Sequence, residues 1–310
     1  MITRNVATAF APASVGNVAV GFDLIGQAIA GVGDRVTVRV TEQPGVSIVD
    51  ISGTVTDLPR VAEANTAGAA AIHFSTELSL DVGLELSLHK GIPLGSGMGG
   101  SAASAVAAVV AINGLLERPL PRHALYESAM AGEFVASQAE HGDNVVACLL
   151  GGIALVGPDG PIPIPAPKGV YCTLVHPDLV IRTEDARDCL PASIPLEQVI
   201  TQQGHLARFI VGCERGDLEL IRTSLIDDLI EPARAHLIPG FDAVKKVAMD
   251  SGALGCSISG AGPSVFAWFV GAKAAQSAGE GMRKAFADAG LSSQVYVSSL
   301  DAPGAVVEPS

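Results

Sequence analysis

The residues best suited to chemistry form a glycine-rich segment at 91–101, which reads Gly-Ile-Pro-Leu-Gly-Ser-Gly-Met-Gly-Gly-Ser. It follows an alternating segment at 84–88 that predicts a strand, and it precedes an alanine-rich stretch at 101–115 that predicts a buried helix. A glycine loop that opens a helix can turn several backbone N–H groups toward one point at the positive end of the helix dipole. Because glycine also lets a ligand approach the backbone, the segment predicts a site for phosphate groups.

Spacing alone leaves the kind of phosphate site open. A Walker P-loop ends in Gly-Lys-Ser/Thr, and here the nearby lysine, Lys90, precedes the glycines, which excludes that motif. The pattern Gly95-x-Gly97-x-x-Gly100 matches the dinucleotide fingerprint, although the preceding strand alternates and Pro93 lies in the turn. A glycine-rich turn that binds no ligand is a further interpretation of the same residues.

Two other glycine-containing motifs accompany this loop. Residues 11–23 read Ala-Pro-Ala-Ser-Val-Gly-Asn-Val-Ala-Val-Gly-Phe-Asp, and residues 259–264 read Ser-Gly-Ala-Gly-Pro-Ser. In this order and spacing, the three motifs resemble those of the GHMP small-molecule kinases, and the resemblance covers nearly the whole chain. The first motif and the segments 141–145, 183–191 and 231–241 are most similar to the members of that family that phosphorylate homoserine.

This resemblance implies a two-domain fold, with an N-terminal α/β domain like ribosomal protein S5 and a C-terminal ferredoxin-like α+β domain. It implies transfer of a phosphoryl group from Mg-ATP to the terminal hydroxyl of L-homoserine, which gives O-phospho-L-homoserine for threonine biosynthesis. The implied cofactors are ATP and Mg²⁺. The implied partners are these small molecules, and a homodimer is a family-level expectation.

The resemblance also implies roles for individual residues. The implied catalytic residues are Asp143, Asn144 and Glu133, and the implied Mg²⁺ ligands are Glu133 and Ser101. The sequence leaves open whether Asp143 accepts the hydroxyl proton, or Asn144 only orients the hydroxyl and the phosphate accepts it. The implied ATP contacts are Pro93, Leu94, Gly95, Ser96, Gly97, Met98, Gly99, Gly100, Ser101 and Ser264. The implied substrate contacts are Asn17, Asp23, His141, Asn144, Thr183, Arg187 and Arg234.

The chemistry of homoserine suits these residue types. Its carboxylate fits a bidentate guanidinium, which Arg187 or Arg234 supplies, and its ammonium fits an oxygen such as the Asp23 carboxylate. The alternative is that each arginine forms only a surface salt bridge with a sequence neighbour, Glu184 or Glu231. Taken with the motifs, the residue types favour substrate binding by both arginines.

Among the departures from the family pattern, which include Gly16 and Ala19 in the first motif, one concerns metal binding. Most members have Gly-Leu-Gly-Ser-Ser-Ala where this chain has Gly-Met-Gly-Gly-Ser-Ala at 97–102, so Gly100 replaces a serine that binds magnesium in some relatives. The departure motivates one alternative, a catalytically silent protein of the same fold that senses a ligand. Another alternative is a mevalonate-type or diphosphocytidyl-methylerythritol kinase, whose substrates lack an amino acid pole and would not need paired arginines.

Composition excludes several other classes of protein. The chain has 19 Lys and Arg against 32 Asp and Glu and no dense basic run, which argues against nucleic-acid binding. The longest clean apolar stretch, 105–112, has eight residues, against about 20 for a membrane-spanning helix. The apolar patch at 6–11 is too short for a secretion signal. Because the five cysteines form no Cys-x-x-Cys pair, we expect reduced thiols and a cytoplasmic protein.

The elements that must position these residues fall into two halves. Residues 157–167 contain five prolines and predict a linker between domains at 1–160 and 168–310. Strands mixed with helices in both halves predict an α/β or α+β protein. Further helices are predicted at 122–138, 196–215, 217–229, 240–251 and 272–289. Further strands are predicted at 35–40, 171–175, 265–270 and 293–297.

Overall fold

The computed structural model describes residues 2–137, 142–158 and 160–309. In these ranges the strands are β1 (Val6–Gly16), β2 (Ile25–Thr41), β3 (Gly45–Gly53), β4 (Gly83–Lys90), β5 (Ile153–Gly157), β6 (Gly160–Ile164), β7 (Val170–Pro177), β8 (Gly255–Ile258), β9 (Val265–Val270), β10 (Ser293–Ser299) and β11 (Val306–Val307). The α-helices are α1 (Thr66–Glu77), α2 (Gly100–Leu115), α3 (Tyr126–Ser137), α4 (Asp143–Leu150), α5 (Thr183–Asp188), α6 (Leu196–Arg215), α7 (Leu218–Arg222), α8 (Glu231–Arg234), α9 (Phe241–Asp250) and α10 (Ala272–Asp288). Short 3-10 helices cover Ala62–Ala64, Arg122–Leu125 and Ala235–Leu237.

The first sheet is mixed and has the order β11-β1-β2-β4-β3, with β5 added to β2 and β6 added to β5. β3 and β4 run parallel, and the other neighbouring strands run antiparallel. Helix α2 packs against β1, β2, α1 and α3. Thirteen of its 16 residues are buried, as its apolar sequence predicts, and its many alanines let neighbouring backbones come close. This helix carries the glycine-rich loop at its N-terminus.

The second sheet is antiparallel and has the order β10-β7-β9-β8. Counted along the chain, these strands have the 4-1-3-2 order of a ferredoxin-like domain. Helices α9 and α10 pack on this sheet. Along β9, Val265, Ala267 and Phe269 belong to the core under those helices, whereas Phe266 and Trp268 belong to the core shared with the first sheet. Because successive side chains of a strand point to opposite faces of the sheet, β9 contributes side chains to both cores.

One prediction that is wrong concerns the proline-rich segment. Residues 160–164 form β6 instead of an irregular linker, and in the described chain this strand pairs only with β5. Proline is tolerated on such an edge strand because the missing N–H is not needed for a second ladder. The domain bounds at 1–160 and 168–310 stay a prediction, and β11 near the end of the second range pairs with β1 of the first sheet.

A second wrong prediction is the helix at 217–229. The structure ends α7 at Arg222, and an irregular segment follows before α8 begins at Glu231. The carboxylate of Asp227 accepts the backbone N–H groups of Leu229, Ile230 and Glu231, which holds this segment in a turn ahead of α8. Every other predicted helix and strand is confirmed where the structure describes it, although β2 extends far beyond 35–40. Within the described ranges, no helix has both the length and the apolar character that crossing a bilayer requires.

A buried hydrogen bond joins the two sheets. The indole Nε1 of Trp268 on β9 donates to Oε1 of Gln27 on β2 at 2.8 Å, and both side chains are fully buried. The ring of Phe209 on α6 packs against the indole, with ring centroids 5.6 Å apart. Because the amide oxygen has no access to water, its partner cannot be removed without leaving an unpaired acceptor.

Replacing the indole tests this junction. We expect Trp268→Phe to lower the free energy of unfolding by about 2–3 kcal/mol, through the unpaired Gln27 oxygen and the lost volume. The control Val270→Ala changes a half-exposed position of the same strand and should stay within about 0.5 kcal/mol of the unaltered chain. Urea denaturation followed by circular dichroism measures both, and equal effects of the two substitutions would contradict the junction.

Candidate active site

Residues from all three glycine motifs line one cavity of about 580 Å³. Every described residue that the sequence predicts for the site lines this cavity, with the exception of Ser264. His141 lies outside the described residues. The fold therefore brings together residues that lie as much as 243 positions apart. Asn17 Nδ2, for example, donates to the Gly260 carbonyl.

The glycine-rich loop has a backbone that only glycine adopts easily. Gly95, Gly97 and Gly99 have φ angles of +60°, +71° and +68°. A Cβ on Gly97 would lie 2.4 Å from the Ser259 carbonyl oxygen, and a Cβ on Gly99 would lie 2.1 Å from Ser14 Oγ. Gly99 is the N-cap of α2 and no side chain caps this end of the helix, while Gly99, Gly100 and Ser101 line the cavity. This arrangement suits an anion such as phosphate.

The third glycine motif supports this loop from behind. Ser259 Oγ donates to the Gly97 carbonyl and Ser264 Oγ donates to the Ser96 carbonyl, each at 2.7 Å. Ser264 is fully buried and does not line the cavity. The sequence predicted a direct ATP contact for Ser264, whereas the structure gives it a supporting position, where it holds Ser96.

A buried ionic cluster that sequence reasoning missed lies beside the start of α2. Lys90 Nζ pairs with the Asp34 carboxylate and also donates to the Gly100 carbonyl at 2.8 Å and to Ser104 Oγ at 2.7 Å. The Asp34 carboxylate also accepts the backbone N–H groups of the first loop residues, Gly91 and Ile92. The cluster thus fixes both ends of the glycine-rich loop. In the sequence, Asp34 directly precedes the strand segment at 35–40, and Lys90 follows the strand segment at 84–88. A charged side chain occupies a buried position of this kind only when it is paired.

Asp143 lies at the first turn of α4 and is held by two residues, one of which is held in turn by a third. Its carboxylate accepts the backbone N–H of Asn17 at 3.0 Å and Nδ2 of Asn144 at 3.1 Å, and Ser14 Oγ donates to Asn144 Oδ1. Burial, and to a smaller degree the charge of Asp23, raises the pKa of Asp143 from 3.8 to about 6. A carboxylate of this kind is mostly ionised at neutral pH and is still basic enough to accept a proton.

Glu133 is the second buried carboxyl group of the cavity. Burial raises its pKa from 4.5 to about 7, and this effect exceeds the opposing effect of a hydrogen bond from Ser101. Within the part of the chain that the structure describes, no group of three or more His, Cys, Asp or Glu side chains is arranged to hold a metal. The oxygens of Glu133 and Ser101 are nevertheless hard ligands of the type that Mg²⁺ takes, and Mg²⁺ commonly combines one carboxylate with ligand phosphates. These two residues therefore fit the ion.

Two arginines enter the cavity from the second half of the chain. Arg187 Nη2 donates to both carboxylate oxygens of Asp23 at 2.9 Å. Arg234 is 3% exposed and donates from Nε to the Ala186 carbonyl at 2.9 Å and from Nη1 to the Gly260 carbonyl at 3.1 Å. The interpretation that each arginine only pairs with a sequence neighbour is wrong. The two neighbours have other partners, since Glu184 pairs with Arg182 and Glu231 pairs with Lys245.

The first motif places Asn17 and Asp23 through an unusual turn. Asn17, Val18 and Ala19 have φ angles of +69°, +44° and +58°, and a buried valine in this region is strained. Asn17 Oδ1 accepts the backbone N–H of Asp23 at 3.0 Å, which closes the turn. Strain of this kind persists where the surroundings enforce it, and such positions are typical of binding sites. Thr183 lies exposed at the first residue of α5 and on the rim of the cavity.

Comparison with protein families agrees with this site. The family described as GHMP kinases N terminal domain matches residues 65–152, and the family described as GHMP kinases C terminal matches residues 209–288. Together with the two sheets and the glycine-lined cavity, these matches define the class of the protein as a GHMP kinase.

Individual relatives narrow the class. A homoserine kinase of Xylella fastidiosa (strain 9a5c) is 50% identical over 299 residues, which span 96% of this chain and 93% of the relative. A homoserine kinase of Chlorobium phaeobacteroides (strain BS1) is 42% identical, with 97% of this chain and 98% of the relative covered. The crystal structure of homoserine kinase from Cytophaga hutchinsonii has a TM-score of 0.95 and 43% identity, with 99% of both chains covered. The chain therefore belongs to the homoserine kinase family within the GHMP kinases.

The raised pKa of Glu133 gives a prediction about stability. Because its pKa is about 7 in the folded chain and 4.5 ordinarily, the folded state holds this proton more tightly. The unaltered chain should therefore lose stability as pH rises from 4.5 through 7, whereas Glu133→Gln does not titrate there. From pH 4.5 to pH 8, we expect the free energy of unfolding of the variant to rise by about 1–3 kcal/mol relative to that of the unaltered chain. Urea unfolding in EDTA without nucleotide measures this, and a pH-independent difference would contradict the assignment.

Proposed function

We propose that this protein transfers the γ-phosphoryl group of ATP to the terminal hydroxyl of L-homoserine and releases O-phospho-L-homoserine and ADP. One observation carries the proposal: a glycine loop at a helix N-terminus and two guanidinium groups line the same cavity. The first is a site for phosphates and the second is a site for a carboxylate. Homoserine kinases that are 42–50% identical over nearly the full chain support the same activity.

The nucleotide occupies the part of the cavity made by the second motif. Backbone N–H groups of residues 95–101 and the dipole of α2 bind the phosphates, and the buried Lys90–Asp34 pair holds the loop behind them. The apolar lining residues that precede α1, Val55, Leu58 and Pro59, suit the face of the base. The ATP contacts of residues 93–101 are part of this proposal.

The amino acid occupies the part made by the first motif and the two arginines. Its carboxylate binds Arg187 and Arg234. Within the described residues, Arg234 Nη2 makes no hydrogen bond to protein, which leaves that N–H group for the substrate. Its ammonium binds the oxygens of Asp23 and Asn17, and Thr183 at the rim completes the proposed contacts. This orientation directs the terminal hydroxyl toward Asp143 and Asn144.

The reaction is a direct attack of the hydroxyl oxygen on the γ-phosphorus. Because the transition state of phosphoryl transfer is loose, positioning and charge stabilisation supply most of the catalysis. We assign Asp143 as the acceptor of the hydroxyl proton and Asn144 as the residue that orients the hydroxyl. The hydrogen bonds of Asp143 to Asn17 and Asn144 keep its carboxylate fixed for that step.

We assign Mg²⁺ binding to Glu133 and Ser101, shared with the phosphates of the nucleotide. When bound, this ion neutralises negative charge on the phosphates. Gly100 contributes no side-chain oxygen, and a Cβ there would lie 3.2 Å from Ile92 Cγ2. A cytoplasmic location belongs to the proposal, supported by five free cysteines. Homodimer formation stays a prediction from the family.

The decisive assay of the function is ADP release by the purified full chain. ATP and Mg²⁺ are supplied with L-homoserine, mevalonate or diphosphocytidyl-methylerythritol in turn. We expect homoserine-dependent release. Release with mevalonate or the cytidyl substrate instead would favour those kinase activities, and ATP binding without release on any substrate would favour a ligand sensor.

The two arginines give a prediction about the substrate. Arg187→Ala and Arg234→Ala should each raise the KM for homoserine by roughly 100-fold or more, because a charge-assisted hydrogen bond contributes about 1.5–3 kcal/mol and its partner is left buried. The KM for ATP should stay within about twofold. The control Arg222→Ala removes an exposed arginine of α7 and should change neither constant. A collapse of ATP affinity in either cavity variant would contradict the assignment to the substrate.

Asp143 gives a prediction about the chemical step. If its carboxylate accepts the proton, Asp143→Asn should lower kcat by about 10²–10⁴-fold with little change in either KM. In the unaltered chain, kcat/KM should rise with pH through an apparent pKa near 6. The exposed Asp288→Asn serves as the control. A loss of kcat of only a few-fold would reject the proton-acceptor role and would mean that Asp143 only orients the substrate hydroxyl.

A further inference from the structure

The ring of Phe22 lies against both arginines of the cavity. The Cζ atom of Arg187 is 5.5 Å from the ring centroid and the Cζ atom of Arg234 is 5.3 Å from it. Both distances fall within the range of cation–π attraction. Phe22 does not line the cavity itself, so any effect on a ligand must pass through the two arginines.

Arg234 gains most from such a partner, because within the described residues no carboxylate is hydrogen-bonded to it. Arg187 has a carboxylate, since Nη2 donates to both oxygens of Asp23. Arg234 donates instead to two neutral carbonyls, those of Ala186 and Gly260. Burial, and next the charge of Arg187, lowers the pKa of Arg234, while the charges of Asp23 and Asp227 act in the opposite direction. The face of an aromatic ring offers negative potential to both cations without adding a charge.

The backbone that carries Phe22 is held by its own turn. The N–H of Gly21 donates to the Asn17 carbonyl at 2.9 Å, and the N–H of Asp23 donates to Asn17 Oδ1 at 3.0 Å. A Cβ on Gly21 would lie 2.5 Å from Ile25 Cγ1, and Asp23 has a φ of +58°. The backbone on both sides of Phe22 is therefore fixed, which places the ring beside the two guanidinium groups.

We propose that Phe22 is a positioning residue that holds Arg187 and Arg234 side by side as a clamp for a carboxylate, and so sets the preference for a substrate that carries one. The inference rests on the proposed function and extends it to the basis of substrate choice. An aliphatic side chain of similar size would cover the guanidinium groups without the compensating potential, and they would move apart or turn toward other acceptors. A tyrosine keeps the ring face and should keep the clamp.

The test compares Phe22→Leu and Phe22→Tyr with two acceptors, L-homoserine and 3-aminopropan-1-ol, which is homoserine without its carboxylate. We expect Phe22→Leu to raise the KM for homoserine by about 10- to 100-fold, the effect of losing two partly desolvated cation–π contacts, with kcat and the KM for ATP little changed. With 3-aminopropan-1-ol, kcat/KM should change less than about threefold, and Phe22→Tyr should restore the constants for homoserine. Where the amino alcohol turns over slowly, its inhibition constant against homoserine gives the same comparison.

A matched control removes another ring that lies against an arginine. Phe10 lies 4.9 Å from Cζ of Arg35, and neither residue lines the cavity, so Phe10→Leu should leave all constants unchanged. Equal losses with both acceptors in Phe22→Leu would mean that the ring only supports the turn, and would overturn the inference while leaving the function intact. Failure of the unaltered chain to release ADP with homoserine would overturn the proposed function, and this inference with it.

Discussion

Uncapped N–H groups at the start of α2, held in place by left-handed glycines, are the feature on which the rest of this site depends. The loop must pass close enough to Ser259 and Ser14 that a Cβ on Gly97 or Gly99 would collide with them. That close approach is possible because α2 is rich in alanine and buried, and because it packs against β1, β2, α1 and α3. A helix in such a position keeps its dipole pointing at the cavity and gives an anion a preformed site.

Electrostatics then decides what the cavity can bind. The chain carries a net charge of −13, and in the cavity Lys90 is paired with Asp34 and Arg187 with Asp23. Attraction for an anionic ligand therefore comes mainly from Arg234 and from the backbone N–H groups at the start of α2. The two buried carboxyl groups, Asp143 and Glu133, have raised pKa values because burial disfavours their charged forms. Their ionisation therefore lowers the stability of the folded chain.

Much of the site could be predicted from sequence because its residues lie in short local motifs. The residue types of the glycine loop indicate a phosphate site, whereas the roles of Asp143 and the two arginines were implied by the resemblance of their segments to GHMP kinases. The structure brings all of them to one cavity. The Asp34–Lys90 pair was missed because it joins residues 56 positions apart, and a strand pattern does not reveal which charges are buried together. The β6 strand was missed because proline density was judged without knowing that the strand lies at a sheet edge. Phe22 was missed because its effect depends on two residues far away in the chain.

A crystal structure of the full chain with a non-hydrolysable ATP analogue and L-homoserine tests the central claim most directly. The account predicts that the triphosphate accepts hydrogen bonds from backbone N–H groups of residues 95–101, while the homoserine carboxylate lies within hydrogen-bond distance of Arg187 and Arg234. A triphosphate bound elsewhere in the molecule, or a homoserine carboxylate turned away from both arginines, would contradict it.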